Sequence, residues 1–466
     1  MQHLFDKEVY AGRRNRLKEI VDSGLVLMIG NKEASFNYPA NTYKYRQDSN
    51  FLYFFGLDLY DLVGAIDIDN DKDYIFGNDV DMDDIIWMGP QPTIKELGEK
   101  VAIEHTSPLA ELDKLIKSAI QAGRKIHFVP PYRGEHKLQL SALLGIEPER
   151  VVDFVSEELI RAIVMLREIK DDFEIDQIEQ AIDIAYDMHT TSMKMAAKPG
   201  IIEREIAGTI EGISLAKGGP TSFPVILSIH GETLHNHHHD NVLEVGRMMV
   251  TDAGAETVMH YASDITRTVP VGGKFNQRQK EVYESVLAAN MKAIEAIKPG
   301  LTFKEIHLLS AKVLTEGLIK IGLMKGDAEQ AVAAGAHTLF FPHGLGHMMG
   351  LDVHDMEGLG ENYVGYDAHT QRATQFGTAY LRLGKELKPG FVLTVEPGCY
   401  FIPALIDKWK AEGKFTEFIN YDKVETYKDF GGIRIEDDIL VTETGYRVLG
   451  KPIPKTVEEI EAIMNS

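Results

Sequence analysis

Short apolar runs alternate with amphipathic stretches along the first third of the chain. Leu25 to Ile29, Leu62 to Ile68 and Lys125 to Val129 are bounded runs of strand length, whereas Ala110 to Gln121 spaces its apolar residues at helical intervals. Together they predict an α/β domain. From Val155 to Lys170 the pattern turns continuously helical. A further amphipathic stretch then places Ile175, Ile178, Ile182, Ala185 and Met188 on one side. The change puts a domain boundary close to Leu166 and divides the chain into residues 1–166 and 167–466.

The second part carries an internal echo. Lys198-Pro199-Gly200 follows one predicted helix and precedes another, and Lys298-Pro299-Gly300 does the same about a hundred positions later. Gly246 opens an apolar run that reaches Asp252, and Gly390 opens one that reaches Glu396 with identical spacing. A second acid follows each: Asp264 in Ser-Asp-Ile-Thr-Arg-Thr, and Glu436 in Gly-Gly-Ile-Arg-Ile-Glu-Asp-Asp. Two related hairpins would then face each other across four carboxylates.

Composition narrows the function classes. Of the 466 residues, 44% are hydrophobic and 26% charged, as expected of a folded globular protein rather than a disordered one. A formal net charge of -22 with no basic patch argues against nucleic-acid binding. Cys399 is the single cysteine, so no intrachain disulfide can form, and its Pro-Gly-Cys-Tyr setting announces no catalytic base; a small buried residue is the simpler reading. Met1 to Leu17 lacks the apolar core of a signal peptide, and no window approaches the roughly 18 apolar residues of a spanning helix. The expectation is a cytoplasmic protein without membrane association.

Four carboxylates gathered in an interior repel one another unless protons or cations neutralise them. An oxygen-rich set joined by one imidazole suits manganese, cobalt or zinc, and a pair of ions sharing carboxylates requires about this charge count. The imidazole comes from the run His343 to Asp355. His343 and His347 have the i, i+4 spacing of a helical zinc pair, but no Glu follows His343, and Gly344, Gly346 and Gly350 disfavour a helix. The segment is expected to be a glycine-rich loop beside the site. Two such ions can activate a hydroxide and polarise a carbonyl, the equipment for amide hydrolysis. Any one of these acids alone would be read as a solvated or capping residue; five candidate ligands in order, with paired spacing, reverse that reading.

With Asp252, Asp264, His347, Glu396 and Glu436 all in place, the sequence resembles the aminopeptidase P and prolidase family over nearly the whole chain. The resemblance implies an aminopeptidase P-like amino-terminal domain followed by a duplicated "pita-bread" catalytic domain, α/β (α+β) in class. It further implies hydrolysis of Xaa-Pro bonds with two divalent ions, manganese before cobalt or zinc. Asp264 and Glu436 would bridge the ions, Asp252 would complete one, and His347 and Glu396 the other, with Glu396 also shuttling a proton. His235 and His354 fall where the family contacts substrate and intermediate, and His343 and Arg434 at supporting positions around the metals. His237, His238 and His239 are left as a loop tip. Trp87 matches a tryptophan that approaches a neighbouring subunit's active site, although on its apolar stretch a core role is equally open. A homodimer or homotetramer is implied.

The resemblance divides over the substrate. Tyr45 to Tyr53 and Asp264 to Thr268 look like aminopeptidase P, which trims longer peptides. The long segments between Asp355 and Glu396 and from Phe401 to Phe430 look like prolidase, where an arginine at the position of Arg382 binds a dipeptide's free carboxylate. The balance favours Xaa-Pro aminopeptidase, with Xaa-Pro dipeptidase as the alternative. The same fold also serves as a metal-free peptide-binding module or a metal-free hydrolase, but either would have lost ligands, and none is lost.

Overall fold

The run Leu25–Ile29 becomes an inner strand because both its faces are apolar and can be covered. In the computed structural model, which describes residues 3–466, it pairs antiparallel with Val63–Asp67 and parallel with Ile126–His127. Lys72–Phe76 and His105–Ser107 extend the sheet to five strands. Leu112, Ile116 and Ala119 of the helix Leu112–Gln121 pack onto Leu25, Leu27, Val63 and Ala65. That helix starts two residues later than its periodicity suggests, because Leu109–Glu111 forms a 3-10 turn behind Pro108. The helical reading of Val155 to Lys170 is shortened to Glu157–Arg167. Asp171 ends it by capping a new helix: its side chain accepts the Glu174 N–H and starts Asp172–Ala196.

The chain divides into two compact units, one running up to Arg167 and including Gly358–Tyr363, the other comprising Glu168–Glu357 and Val364–Ser466. In the second unit the internal echo is a real duplication of local structure. Asp172–Ala196 and Glu203–Lys217 are joined through Lys198-Pro199-Gly200, and Gln277–Ala296 and Phe303–Lys320 through Lys298-Pro299-Gly300. Gly246 and Gly390, at φ +96° and +89°, turn the chain into their strands through a conformation that side-chain-bearing residues rarely adopt. Met248–Asp252 then lies between Ile226–Ser228 and Thr266–Pro270, and Val392–Val395 pairs with Asp437–Val441, which carries Tyr446–Val448 on its other edge. A short ladder, Gly398–Tyr400 with Gly432–Arg434, completes the second half. The halves meet where the Glu436 N–H donates to the Thr266 carbonyl at 3.1 Å and buried Arg267 donates to the Glu436 carbonyl and the Asp437 carboxylate. No helix among the described residues is long and apolar enough to cross a membrane.

Two buried histidines in this unit serve no visible polar purpose. His307, on Phe303–Lys320 against the ring of Phe341, and His337 have no hydrogen-bond partner at either ring nitrogen. Burial drives His307 down to about 3, helped by neighbouring His337 and His343, and His337 down to about 4. Both folded values lie below the ordinary value near 6.5, so the unfolded chain takes up protons first as pH falls. Their contribution to stability is therefore complete above about pH 6.5 and is lost as pH falls toward 4. His307→Leu is expected to flatten the decline of melting temperature between pH 6.5 and 4.5; a slope equal to the parent's would refute this.

Candidate active site

The acidic positions converge because each lies at or just beyond the end of a strand from one of the two halves. Asp252 closes Met248–Asp252 opposite Thr266, Asp264 precedes Thr266–Pro270, Glu396 follows Val392–Val395, and Glu436 sits between Gly432–Arg434 and Asp437–Val441. His347 arrives on a non-helical loop, as its glycines require. Gly346 lets that loop touch the strand: a Cβ there would stand 2.0 Å from the Thr394 carbonyl oxygen. The contact is held by His347 N–H to Thr394 Oγ1 at 3.2 Å, Thr394 N–H to the His347 carbonyl at 3.0 Å, and Glu396 N–H to the Leu345 carbonyl at 2.8 Å.

The donor atoms are arranged for a cation. One ligand atom each from Asp264, His347 and Glu436 lies within 4.8 Å of the others. The His347 Nδ1 stands 3.0 Å from the Met348 carbonyl, which as an acceptor calls for a proton on that nitrogen. The Nε2 then faces Asp264 Oδ2 at 3.3 Å and Glu396 Oε1 at 3.6 Å. Asp252 Oδ1 and Asp264 Oδ1 are buried without a hydrogen-bond partner. Burial, reinforced by the neighbouring carboxylates, pushes Asp264 and Glu436 well above the usual carboxylate range; burial raises Glu396 as well. A divalent ion would satisfy the orphaned oxygens and reverse the shifts, so these residues fit one.

A hydrogen-bonded frame surrounds the cluster. Arg434 donates to Asp252 Oδ2 at 2.6 Å, Thr266 Oγ1 at 3.1 Å and the Tyr400 hydroxyl at 2.9 Å. Thr266 in turn donates to Glu436 Oε2 at 2.6 Å. His343 donates from Nδ1 to the Gly344 carbonyl, so its Nε2 accepts from Tyr400 at 2.9 Å, and burial followed by the Arg434 charge holds it down at about 3. Asp438 Oδ2 accepts the Asp264 N–H at 3.0 Å. Arg434→Ala is expected to destabilise the protein by about 3 to 5 kcal/mol, because it strands Asp252 as an uncompensated buried charge. Arg434→Lys should cost less stability but still impair activity, since an ammonium cannot span the same three partners. Denaturant melts alongside activity would check both, and parent-like values for the alanine variant would refute the role.

The cluster forms the wall of an open cleft of about 530 Å³. Asp252, Asp264, His347, Glu396 and Glu436 line it together with His235, His343, His354, Arg382 and Arg434, so ten of the eleven residues singled out in the sequence meet in one place. The His354 ring stacks on His347 with centroids 3.8 Å apart, and burial lowers the pKa of both His354 and His235. Trp87, the eleventh, lies in the other unit on the helix Met82–Met88 and is 86% exposed, which overturns its core reading. Cys399 is buried, and burial pushes its thiol up, as a packing role demands. Sequence reasoning missed Tyr400, Thr266, His237 and Glu357. Tyr400 and Thr266 each stand a few residues beyond a ligand candidate on the adjoining strand, a signal that only the pairing turns into a contact.

This geometry agrees with the comparisons. Residues 176–443 match metallopeptidase family M24, and residues 10–127 match the aminopeptidase P N-terminal domain. The chain belongs to metallopeptidase family M24. It is similar to human Xaa-Pro dipeptidase, with 32% identity covering 97% of this chain and 91% of that one. A probable Xaa-Pro aminopeptidase of Paracoccidioides brasiliensis is 33% identical, covering 95% and 92% respectively. Among solved structures, a substrate complex of an Escherichia coli aminopeptidase P variant superimposes with a TM-score of 0.81 and 28% identity over 99% of both chains. Pseudomonas aeruginosa aminopeptidase PepP gives 0.82 at 26%, covering 100% of this chain and 99% of that one. The M24 chain is thus a metallopeptidase built as a mixed α/β amino-terminal domain followed by the duplicated catalytic domain of aminopeptidase P.

Proposed function

We propose that this metallopeptidase releases the residue preceding proline from the amino end of a peptide, as an Xaa-Pro aminopeptidase, with residues 1–166 as its amino-terminal domain and 167–466 as its catalytic domain. The observation that carries the reading is the convergence of Asp252, Asp264, His347, Glu396 and Glu436 on one open cleft. These five would hold two divalent ions, manganese before cobalt or zinc. When bound, such ions lower the pKa of water and polarise the scissile carbonyl. Glu396, as a carboxylate, would take a proton from the attacking water and pass it to the departing proline nitrogen. His235 and His354, kept neutral by burial, orient the substrate carbonyl and donate to the developing oxyanion. His343 acts through Tyr400 and Arg434 to hold Asp252 in place.

Arg382, on the cleft wall, favours a second reading, a dipeptidase that grips the free carboxylate of an Xaa-Pro dipeptide. Hydrolysis of an Xaa-Pro dipeptide beside an Xaa-Pro-Yaa-Zaa peptide, with metal-stripped protein resupplied with manganese, separates the two. Release of Xaa from the longer peptide establishes the aminopeptidase, and cleavage of the dipeptide alone the dipeptidase. Silence on both would return the chain to the binding-module reading. A cytoplasmic homodimer or homotetramer is part of this proposal, supported by the exposed Met82, Ile86 and Trp87 of one short helix.

A further inference from the structure

Arg382, on the cleft wall, is already paired. Its NH1 donates to Glu357 Oε2 at 2.7 Å, and the other Glu357 oxygen lies 3.1 Å from His354 Nδ1. The Glu357 side chain is 16% exposed, at the start of the 3-10 turn Glu357–Leu359. Burial alone would favour its neutral form, but the His354 contact and the Arg382 charge hold the carboxyl below its ordinary value. Glu357 is therefore an anion at neutral pH, set between His354, which stacks on His347, and Arg382, which lines the cleft.

That placement changes what Arg382 can select. A lone guanidinium on the wall of a cleft attracts a carboxylate strongly and bidentately. Paired with Glu357, the same guanidinium contributes almost no net charge, and a second carboxylate approaching it would come close to the first. Like charges in a partly desolvated pocket repel, and the pair would share one set of donors. A substrate that ends at proline brings such a carboxylate, whereas one that continues brings a neutral peptide group at the same point.

We propose that Glu357, paired with the cleft residue Arg382, selects by charge: it occupies Arg382 and repels a second carboxylate, so that the site turns away substrates ending at proline and accepts chains that continue beyond it. The assignment rests on the Xaa-Pro reading and deepens it by naming the residue that excludes dipeptides.

The test compares Ala-Pro with Ala-Pro amide, which differ at the carboxyl end only, on manganese-loaded full-length protein. The parent should prefer the amide. Glu357→Gln keeps the shape and removes the charge, and is expected to raise the acid-to-amide ratio of kcat/KM by about tenfold, chiefly through KM for the acid. Partial misfolding would lower both rates and leave the ratio alone. Adding Arg382→Ala should abolish the gain, because the two residues act as one unit. An unchanged ratio in Glu357→Gln, or a gain that survives Arg382→Ala, overturns the assignment while leaving the Xaa-Pro activity standing. A parent silent on both substrates defeats the Xaa-Pro reading, and the assignment falls with it.

Discussion

Alanine at Asp264 or Glu436 is expected to abolish turnover and tight metal binding together, lowering kcat/KM by roughly a thousandfold or more. Both side chains are buried and belong to the trio whose ligand atoms lie within 4.8 Å of one another. Removing either takes a donor atom out of that trio. The same substitution should have the opposite effect on the metal-free fold. Asp264 is held well above the usual carboxylate range by burial and then by Asp252, Asp438 and Glu396, so its deletion relieves repulsion that Arg434 offsets only in part. The alanine variants should therefore melt no lower than the stripped parent, and lose most of the stabilisation that added manganese gives the parent. Metal content by elemental analysis, activity and thermal melts on the same preparations decide the matter. A variant that retains parent-level activity with no bound metal would sink the mechanism.

Stripping the metal is the second large perturbation, and its signature is a stability that depends on pH in an unusual direction. Asp264, Glu396 and Glu436 have folded pKa values raised above those of the unfolded chain by burial first; neighbouring carboxylates add to it at Asp264 and Glu436, while His347 and Arg434 partly offset it at Glu396. The folded protein thus retains protons that the unfolded chain gives up above about pH 4, and linkage makes its stability fall as pH rises through the raised values. A divalent ion displaces those protons, so its affinity, and the stability it adds, should rise with pH. At a hundredfold excess over Kd the gain is about 2.7 kcal/mol, worth about 4 °C in a domain of this size. Measurements between pH 7.5 and 8.5 isolate the effect, because His307 and His337 are then neutral folded and largely neutral unfolded. Melts with and without manganese should diverge as pH rises; parallel curves would contradict the carboxylate cluster as the metal site.

Much of this site is legible in the residue pattern. The six-residue steps from Gly246 to Asp252 and from Gly390 to Glu396 survive folding because both glycines take positive φ and both runs become strands. The glycines around His347 likewise imply a loop in close contact, which the Thr394 carbonyl at Gly346 realises. The helix limits near Arg167 and Leu112 are less legible, because a cap at Asp171 and a 3-10 turn at Leu109–Glu111 interrupt an apolar periodicity that runs on through them. Trp87 eludes a pattern reading altogether: Ile86, Trp87 and Met88 look like core, yet all three are exposed.

The sequence by itself determined the duplicated order of helix, turn and acid-bearing strand, and with it the identity of the candidate ligands. Those features depend on residue types at short separations, where backbone propensity and side-chain period act directly. The tertiary structure alone decided the partners. Arg434 reaches Asp252 across 182 positions, Thr266 reaches Glu436 across 170, and Arg382 meets Glu357 across 25. No local period encodes such pairs; they exist because two halves close over one cleft and each buried charge must then find its counter-charge.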